Sequence, residues 1–391
     1  MPYDIEEFRS LVPSLKNNDI IYLNSSFQPP MNKIIADAFF YYINEALEDV
    51  NPKEKWYSEC QTIKYKLAKL INCDPKDLVY TRDTTESSQL FQKSLKFKKG
   101  DNVVLLRDEF PSTLAGWMSL LPDGLEIKFI EVNQKSPVSH DANTFKDYVD
   151  ENTIAIGISS IMFNNGLRND VKSICDTYRP RGIHVLVDAM QEVGFGCINV
   201  QEWGPSAISF GTNKALACPT GLGCLYVNPD VLNDLKKTPP NMTAASFSNM
   251  SDPHLAPYPY ECFKSAKRYE HTNMAMIQCL ALGKYLDFMN EVGMENIQNH
   301  LEELSTYLRF ELAKIKVPTV DDDGNLNIIR SPHSNLVILE SPEWSQYFTD
   351  NNVMVSRYSA GFRISFGLYN NRQDIDKFIA IVKRGLSEGF H

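Results

Sequence analysis

Three short stretches of the chain carry side chains whose types and settings suit them to chemistry. Ser209-Phe210-Gly211-Thr212-Asn213-Lys214 closes one apolar run, and Gly221-Leu222-Gly223 opens the next. A lysine held between two apolar strands is kept from bulk water, which lowers its pKa and frees its amine to form a Schiff base. An ordinary turn lysine is the plainer alternative. His184-Val185-Leu186-Val187-Asp188 ends an apolar strand on a carboxylate. That position is the carboxyl edge of a sheet, where ligands of open α/β folds bind, although a turn-capping aspartate fits there too. Thr81-Arg82-Asp83-Thr84-Thr85-Glu86 comes after an apolar strand and opens a helix. Asp83 with Glu86 resembles a capping box, and the same helix start offers N–H groups and a positive dipole end to a phosphate.

The elements that must position these groups alternate. Strand-like runs fall at Ile20–Leu23, Leu78–Thr81, Asn102–Arg107, Glu126–Val132, Thr153–Ser159, His184–Asp188, Ala207–Phe210 and Gly223–Val227. Helical patterns lie between them, clearest at Tyr57–Ile71, Ser87–Leu95 and Val171–Tyr178. Many of the strands are continuously apolar, as expected when helices cover both faces. This predicts an α/β domain with a mostly parallel sheet. Residues 230–260 read as a long loop, and a helical stretch runs from about Ala275 to Ile315. Short strands at Asn335–Leu339, Val353–Val355 and Arg363–Phe366 and a last helix near Asp374–Leu386 predict a smaller α+β domain. The expected division is a segment 1–15, a large domain 16–260 and a small domain 261–391.

Composition narrows the classes of function. The chain has 391 residues, 43% of them apolar and 23% charged, which suits a soluble globular protein. A net charge of -10 argues against a general nucleic-acid binder, because neutralising phosphates needs a basic face. No apolar run approaches the ~18 residues of a membrane span, and the acidic N-terminus lacks the features of a signal peptide. The expected setting is cytoplasmic. Eight scattered cysteines form no C-x-x-C pair and no zinc spacing, so buried reduced thiols are expected and no metal site.

An imine-forming lysine, an acid to pair with a pyridinium nitrogen and a phosphate cradle together make up the pyridoxal-phosphate requirement. Over nearly its whole length the sequence resembles class V aminotransferase-fold enzymes of fold type I, the cysteine-desulfurase-like and isopenicillin-N-epimerase-like group. The resemblance runs from Tyr22-Leu23-Asn24-Ser25-Ser26, through Gly166-Leu167-Arg168-Asn169-Asp170, Asp188-Ala189-Met190-Gln191 and Lys214, to Arg363-Ile364-Ser365-Phe366-Gly367. It implies a seven-stranded, mostly parallel sheet, pyridoxal 5'-phosphate as cofactor, an amino-acid substrate and a homodimer. Lys214 would hold the cofactor as a Schiff base, and Asp188 would keep its ring nitrogen protonated. Gln191 would bond the phenolic oxygen, and Thr84 and Thr85 the phosphate. Phe110 would stack on the ring, with core packing as its plainer role. Thr272, in a segment that crosses the dimer, would reach the neighbouring subunit's phosphate. Arg363 would clamp the substrate carboxylate, with Asn24 beside it.

The departures bear on the reaction. Asn213 stands where the family commonly has His before the lysine, so phosphate binding is altered and Thr212 is a candidate to share it. The run 351–362 holds no cysteine, so no persulfide carrier is expected there. Cys218 lies four residues after Lys214, with a buried hydrophobe as the simpler role. Phe110 cannot move protons, which leaves Lys214 as the main acid–base group. The expected function is a lyase-type side-chain reaction (β-elimination or C–S cleavage) on an amino acid, through an external aldimine and a quinonoid. Transamination and epimerisation are the alternatives, and a silent scaffold of the same fold is the non-enzyme one. A nucleotide loop at Gly221-Leu222-Gly223 lacks the flanking fingerprint. A second anionic group of the substrate would meet Arg168 or Arg357.

Overall fold

The computed structural model describes residues 4–16, 19–133, 138–319, 334–339, 344–358 and 361–390. Its strands are β1 (Ile21–Tyr22), β2 (Leu78–Thr81), β3 (Asn102–Leu106), β4 (Glu126–Ile130), β5 (Thr153–Ser159), β6 (His184–Asp188), β7 (Ala207–Gly211), β8 (Gly223–Val227), β9 (Leu336–Leu339), β10 (Val353–Met354), β11 (Ser356–Tyr358) and β12 (Gly361–Ser365). Seven of them form one sheet in the order β2-β8-β7-β6-β5-β3-β4. Only β8 runs against its neighbours, β2 and β7. The fold is therefore the expected α/β one with a mostly parallel sheet. The continuously apolar runs explain it: β3, β7 and β8 are buried along their whole length, which requires helices on both faces.

From β3 the chain passes to β4 on one side and then to β5 on the other. Such a reversal opens a crevice at the carboxyl ends of the strands. The small sheet, β11-β12-β9, is antiparallel.

One expectation changes. The strand expected at Ile20–Leu23 does not join the large sheet; β1 pairs in parallel with β10 near the C-terminus. Two residues suffice for that ladder, and Asn24 then bridges to Ser365 at the end of β12. The helical stretch expected from Ala275 to Ile315 is present and is divided into two helices, Met276–Val292 and Met294–Lys314. Gly293 breaks it at φ +87°, a left-handed conformation that glycine adopts without a Cβ clash. The first of these helices packs on Lys33–Glu48 and Lys53–Leu70. The loop expected over 230–260 contains single 3₁₀ turns and isolated bridges at Leu235, Phe247 and Asp252–Leu255, with no longer element.

Candidate active site

The crevice is built from strand ends. β6 stops on Asp188, which is buried. Its Oδ1 accepts from the Met190 N–H at 3.0 Å and its Oδ2 from the Thr113 hydroxyl at 3.0 Å. Burial pushes this carboxyl up, while those two hydrogen bonds and the Lys214 charge oppose the rise. Beyond β7 the chain folds into a tight loop. Thr212 N–H donates to Leu222 C=O at 3.0 Å, Cys218 N–H to Thr212 C=O at 3.0 Å and Ala217 N–H to Lys214 C=O at 2.8 Å. Ala217 takes a left-handed φ of +56° to close it. Lys214 is thereby fixed at the crevice, half-buried, and its amine has no hydrogen-bond partner among the described residues. Burial, then the Arg363 charge, lower its pKa to about 7 against the pull of Asp188.

One end of the crevice suits an anion. The helix Thr84–Ser94 is capped by Asp83, whose Oδ1 accepts from the Glu86 N–H at 2.7 Å. A Cβ on Gly211 would lie 3.0 Å from Asn213 Oδ1 and 3.1 Å from both Met190 Sδ and Thr84 Oγ1, so these residues converge. Thr84 and the Gly211 N–H both contact the Met190 sulfur, at 3.2 and 3.0 Å. Thr85 sits half-buried in the same first turn. Thr212 does not join them: it is fully buried, and its hydroxyl donates to Leu222 C=O at 3.0 Å. Thr272 is exposed. Its segment is pinned by the buried Lys64–Glu270 ion pair at 2.9 Å and by His271 Nε2 against Glu86 Oε2 at 3.2 Å.

The other end suits a carboxylate. Arg363 on β12 is only 1% exposed, yet no carboxylate pairs with it among the described residues. Its Nη1 donates to Phe163 C=O at 2.8 Å, its guanidinium lies 4.6 Å from the Tyr358 ring centre and its Nε has no partner. A buried cation without an anion is costly to keep, which marks Arg363 as a site awaiting one. Asn24 is buried beside it and accepts from the Ser356 hydroxyl at 2.6 Å. Arg168 is corrected: it is already neutralised by Glu192 at 3.1 Å and Glu302 at 3.3 Å. Cys218 is fully buried, and burial holds its thiol at about 12, as expected of a small hydrophobe.

Three contributors were not legible as site residues in the sequence: Thr113, Phe163 and Glu109. Thr113 orients Asp188, and Phe163 flanks Arg363 together with Tyr358. Glu109 is buried after β3 and accepts from the Ser159 N–H at 2.7 Å. Glu109 precedes Phe110 in the sequence, but nothing local announced its burial.

The residues fit pyridoxal phosphate. Gln191 is 3% exposed, yet both its amide oxygen and its amide nitrogen lack partners, as a group reserved for a bound oxygen would. Lys214 is unpaired, Asp188 keeps lone pairs free beyond its two bonds and the Gly211 cradle leaves space where a side chain would intrude.

Comparison with known proteins agrees. An uncharacterized aminotransferase of Schizosaccharomyces pombe is 43% identical over 384 residues, 98% of this chain and 96% of that one. Among solved structures, the apo cysteine desulfurase of Thermococcus onnurineus NA1 superposes with a TM-score of 0.84 at 19% identity, covering 99% of this chain and 100% of that one. The cystine C–S lyase C-DES, in complex with its product cysteine persulfide, gives a TM-score of 0.83 at 18% identity, covering 94% and 98%. These two likenesses are of fold. The model of the aminotransferase class-V family matches residues 39–378, and the chain belongs to that family of pyridoxal-phosphate enzymes.

Proposed function

We propose that the chain acts on an α-amino acid and catalyses a lyase-type reaction at its side chain, β-elimination or C–S cleavage, without a persulfide cysteine. The observation that carries the reading is Lys214, an unpaired amine lowered to about 7 between Asp188 and Arg363. Arg363 and Asn24 would bind the substrate carboxylate, which turns the Cα–H towards Lys214. Thr84, Thr85 and Asn213 would hold the cofactor phosphate, Gln191 its phenolic oxygen and Phe110 one face of its ring. When bound, pyridoxal phosphate supplies an electron sink for the charge left at Cα. Lys214 would take the Cα proton and hold it. Phe110 brings no second proton carrier, so Lys214 would also deliver that proton to the departing side-chain group. The absence of cysteine from 351–362 supports product release rather than sulfur transfer to the protein.

Transamination is the second reading, favoured by the name of the fission-yeast relative. Incubation of the purified protein with L-amino acids separates the two. Release of ammonia with a 2-oxo acid, with no acceptor added, supports the lyase. Turnover only when an acceptor 2-oxo acid is present overturns it. We place the enzyme in a reducing, cytoplasmic setting, consistent with eight free cysteines, and as a homodimer in which Thr272 serves the neighbouring site.

A further inference from the structure

Three aromatic rings run edge to face beside the carboxylate clamp. Phe110 meets Phe163 at 5.2 Å between centroids and 87°, and Phe163 meets Tyr358 at 5.6 Å and 75°. Tyr358 in turn lies under the Arg363 guanidinium, and Phe163 gives Arg363 its backbone carbonyl. The array therefore ends on the residue that would fix the substrate carboxylate. Phe110 is 42% exposed, the surface assigned above to the cofactor ring, while Phe163 and Tyr358 are half-buried and keep open surface beside it.

Among the described residues, the cations that could have served a second anionic group are absent from this wall. Arg168 is spent on Glu192 and Glu302. Arg357 is exposed and pairs in register with Phe362, whereas Ser356 pairs with Arg363. Side chains alternate across a sheet, so Arg357 stands on the face opposite Arg363. On the clamp's own face, the Ser356 hydroxyl is already committed to Asn24.

Resting on the reading of an amino-acid enzyme, we propose that Phe163 and Tyr358 select a substrate with an uncharged, apolar side chain and reject acidic ones. An anionic side chain placed against the rings would lose its hydration and meet no cation in return. An apolar one would gain from every part of its surface that it buries there.

Calorimetric titration of the holoprotein with simple carboxylates tests this without turnover, because they lack the amino group that reacts. The probes are 3-phenylpropanoate, butanoate and succinate. 3-Phenylpropanoate is expected to bind at least tenfold more tightly than succinate, with butanoate between them. Phe163→Ala, and independently Tyr358→Leu, should bring that ratio close to one while the cofactor absorbance persists. Succinate binding as tightly as 3-phenylpropanoate, no binding of any probe, or a ratio unchanged in both variants would overturn the proposal. Failure of the parent reading looks different: the purified protein would take up no pyridoxal phosphate, whatever the carboxylate ratio.

Discussion

At the scale of residues, the site holds two groups, Glu109 and Lys214, whose environments push their pKa values in opposite directions. Glu109 is 2% exposed, its carboxyl bonds only to Ser159 among the described residues, and burial, with the Asp188 charge adding to it, raises that carboxyl to about 8. In the unfolded chain the same carboxyl titrates near 4.5. Between those values the folded state binds the extra proton, so this group makes stability fall as pH rises from about 5 to 8. Glu109→Gln keeps the hydrogen-bonding shape and removes the proton. Urea midpoints across that range should therefore show the variant gaining on the natural protein as pH rises, and a constant difference would refute the assignment. Lys214 moves the other way. Only a neutral amine attacks an aldehyde, and this one becomes neutral above about 7. Uptake of pyridoxal phosphate by the apoprotein should accelerate as pH rises through 7 and level off above it. Lys214→Ala should leave bound cofactor that borohydride no longer fixes to the chain. The sequence made Lys214 and Asp188 legible because strand patterns placed both at one sheet edge. It could not reveal that Thr212 turns inward or that Arg168 is neutralised, because Glu302 lies on a helix 134 residues further on.

At the scale of elements, the strands were readable because continuous apolar runs have few ways to be buried, and seven of the eight expected strands do enter the large sheet. The exception, β1, is too short for periodicity to say which sheet it joins, and its partner β10 lies more than 300 residues away. The helix break at Gly293 depended on a single backbone angle. A comparable backbone constraint positions the end of the crevice proposed for the phosphate. A Cβ on Gly223, the first residue of β8, would come within 2.6–2.8 Å of the Asp83 backbone, the cap of the helix Thr84–Ser94. Backbone cannot yield as a flexible side chain does. Gly223→Ala should then cost about 1–3 kcal/mol in denaturant unfolding, the usual penalty of overpacking. Because the displaced element carries Thr84 and Thr85, cofactor retention on dialysis should fall as well. Full retention in a destabilised variant would separate the helix start from phosphate binding.

At the scale of the whole molecule, the single chain leaves features that a partner would complete. Phe40, Ile43 and Leu47 recur at i, i+3 and i+7 on the helix Lys33–Glu48 and are 64%, 46% and 80% exposed. Such a stripe covers one helical face, and apolar patches of this kind mark interaction surfaces. Thr272 is likewise exposed, although its segment is anchored by a buried ion pair and by His271. The proposed twofold dimer would account for both. The protein should sediment at twice its 44.5 kDa, and Phe40→Asp with Leu47→Asp should halve that mass. Subunit mixing then asks which site Thr272 serves. Thr272→Ala alone should weaken cofactor binding, and Lys214→Ala alone should abolish covalent attachment. In a heterodimer of the two variants, one site draws its lysine from one chain and its threonine from the other, so it is whole. Random reassortment makes half the dimers mixed, so about a quarter of all sites should regain tight, borohydride-fixable cofactor. If Thr272 acted within its own subunit, no mixed site would contain both residues, and mixing would restore nothing.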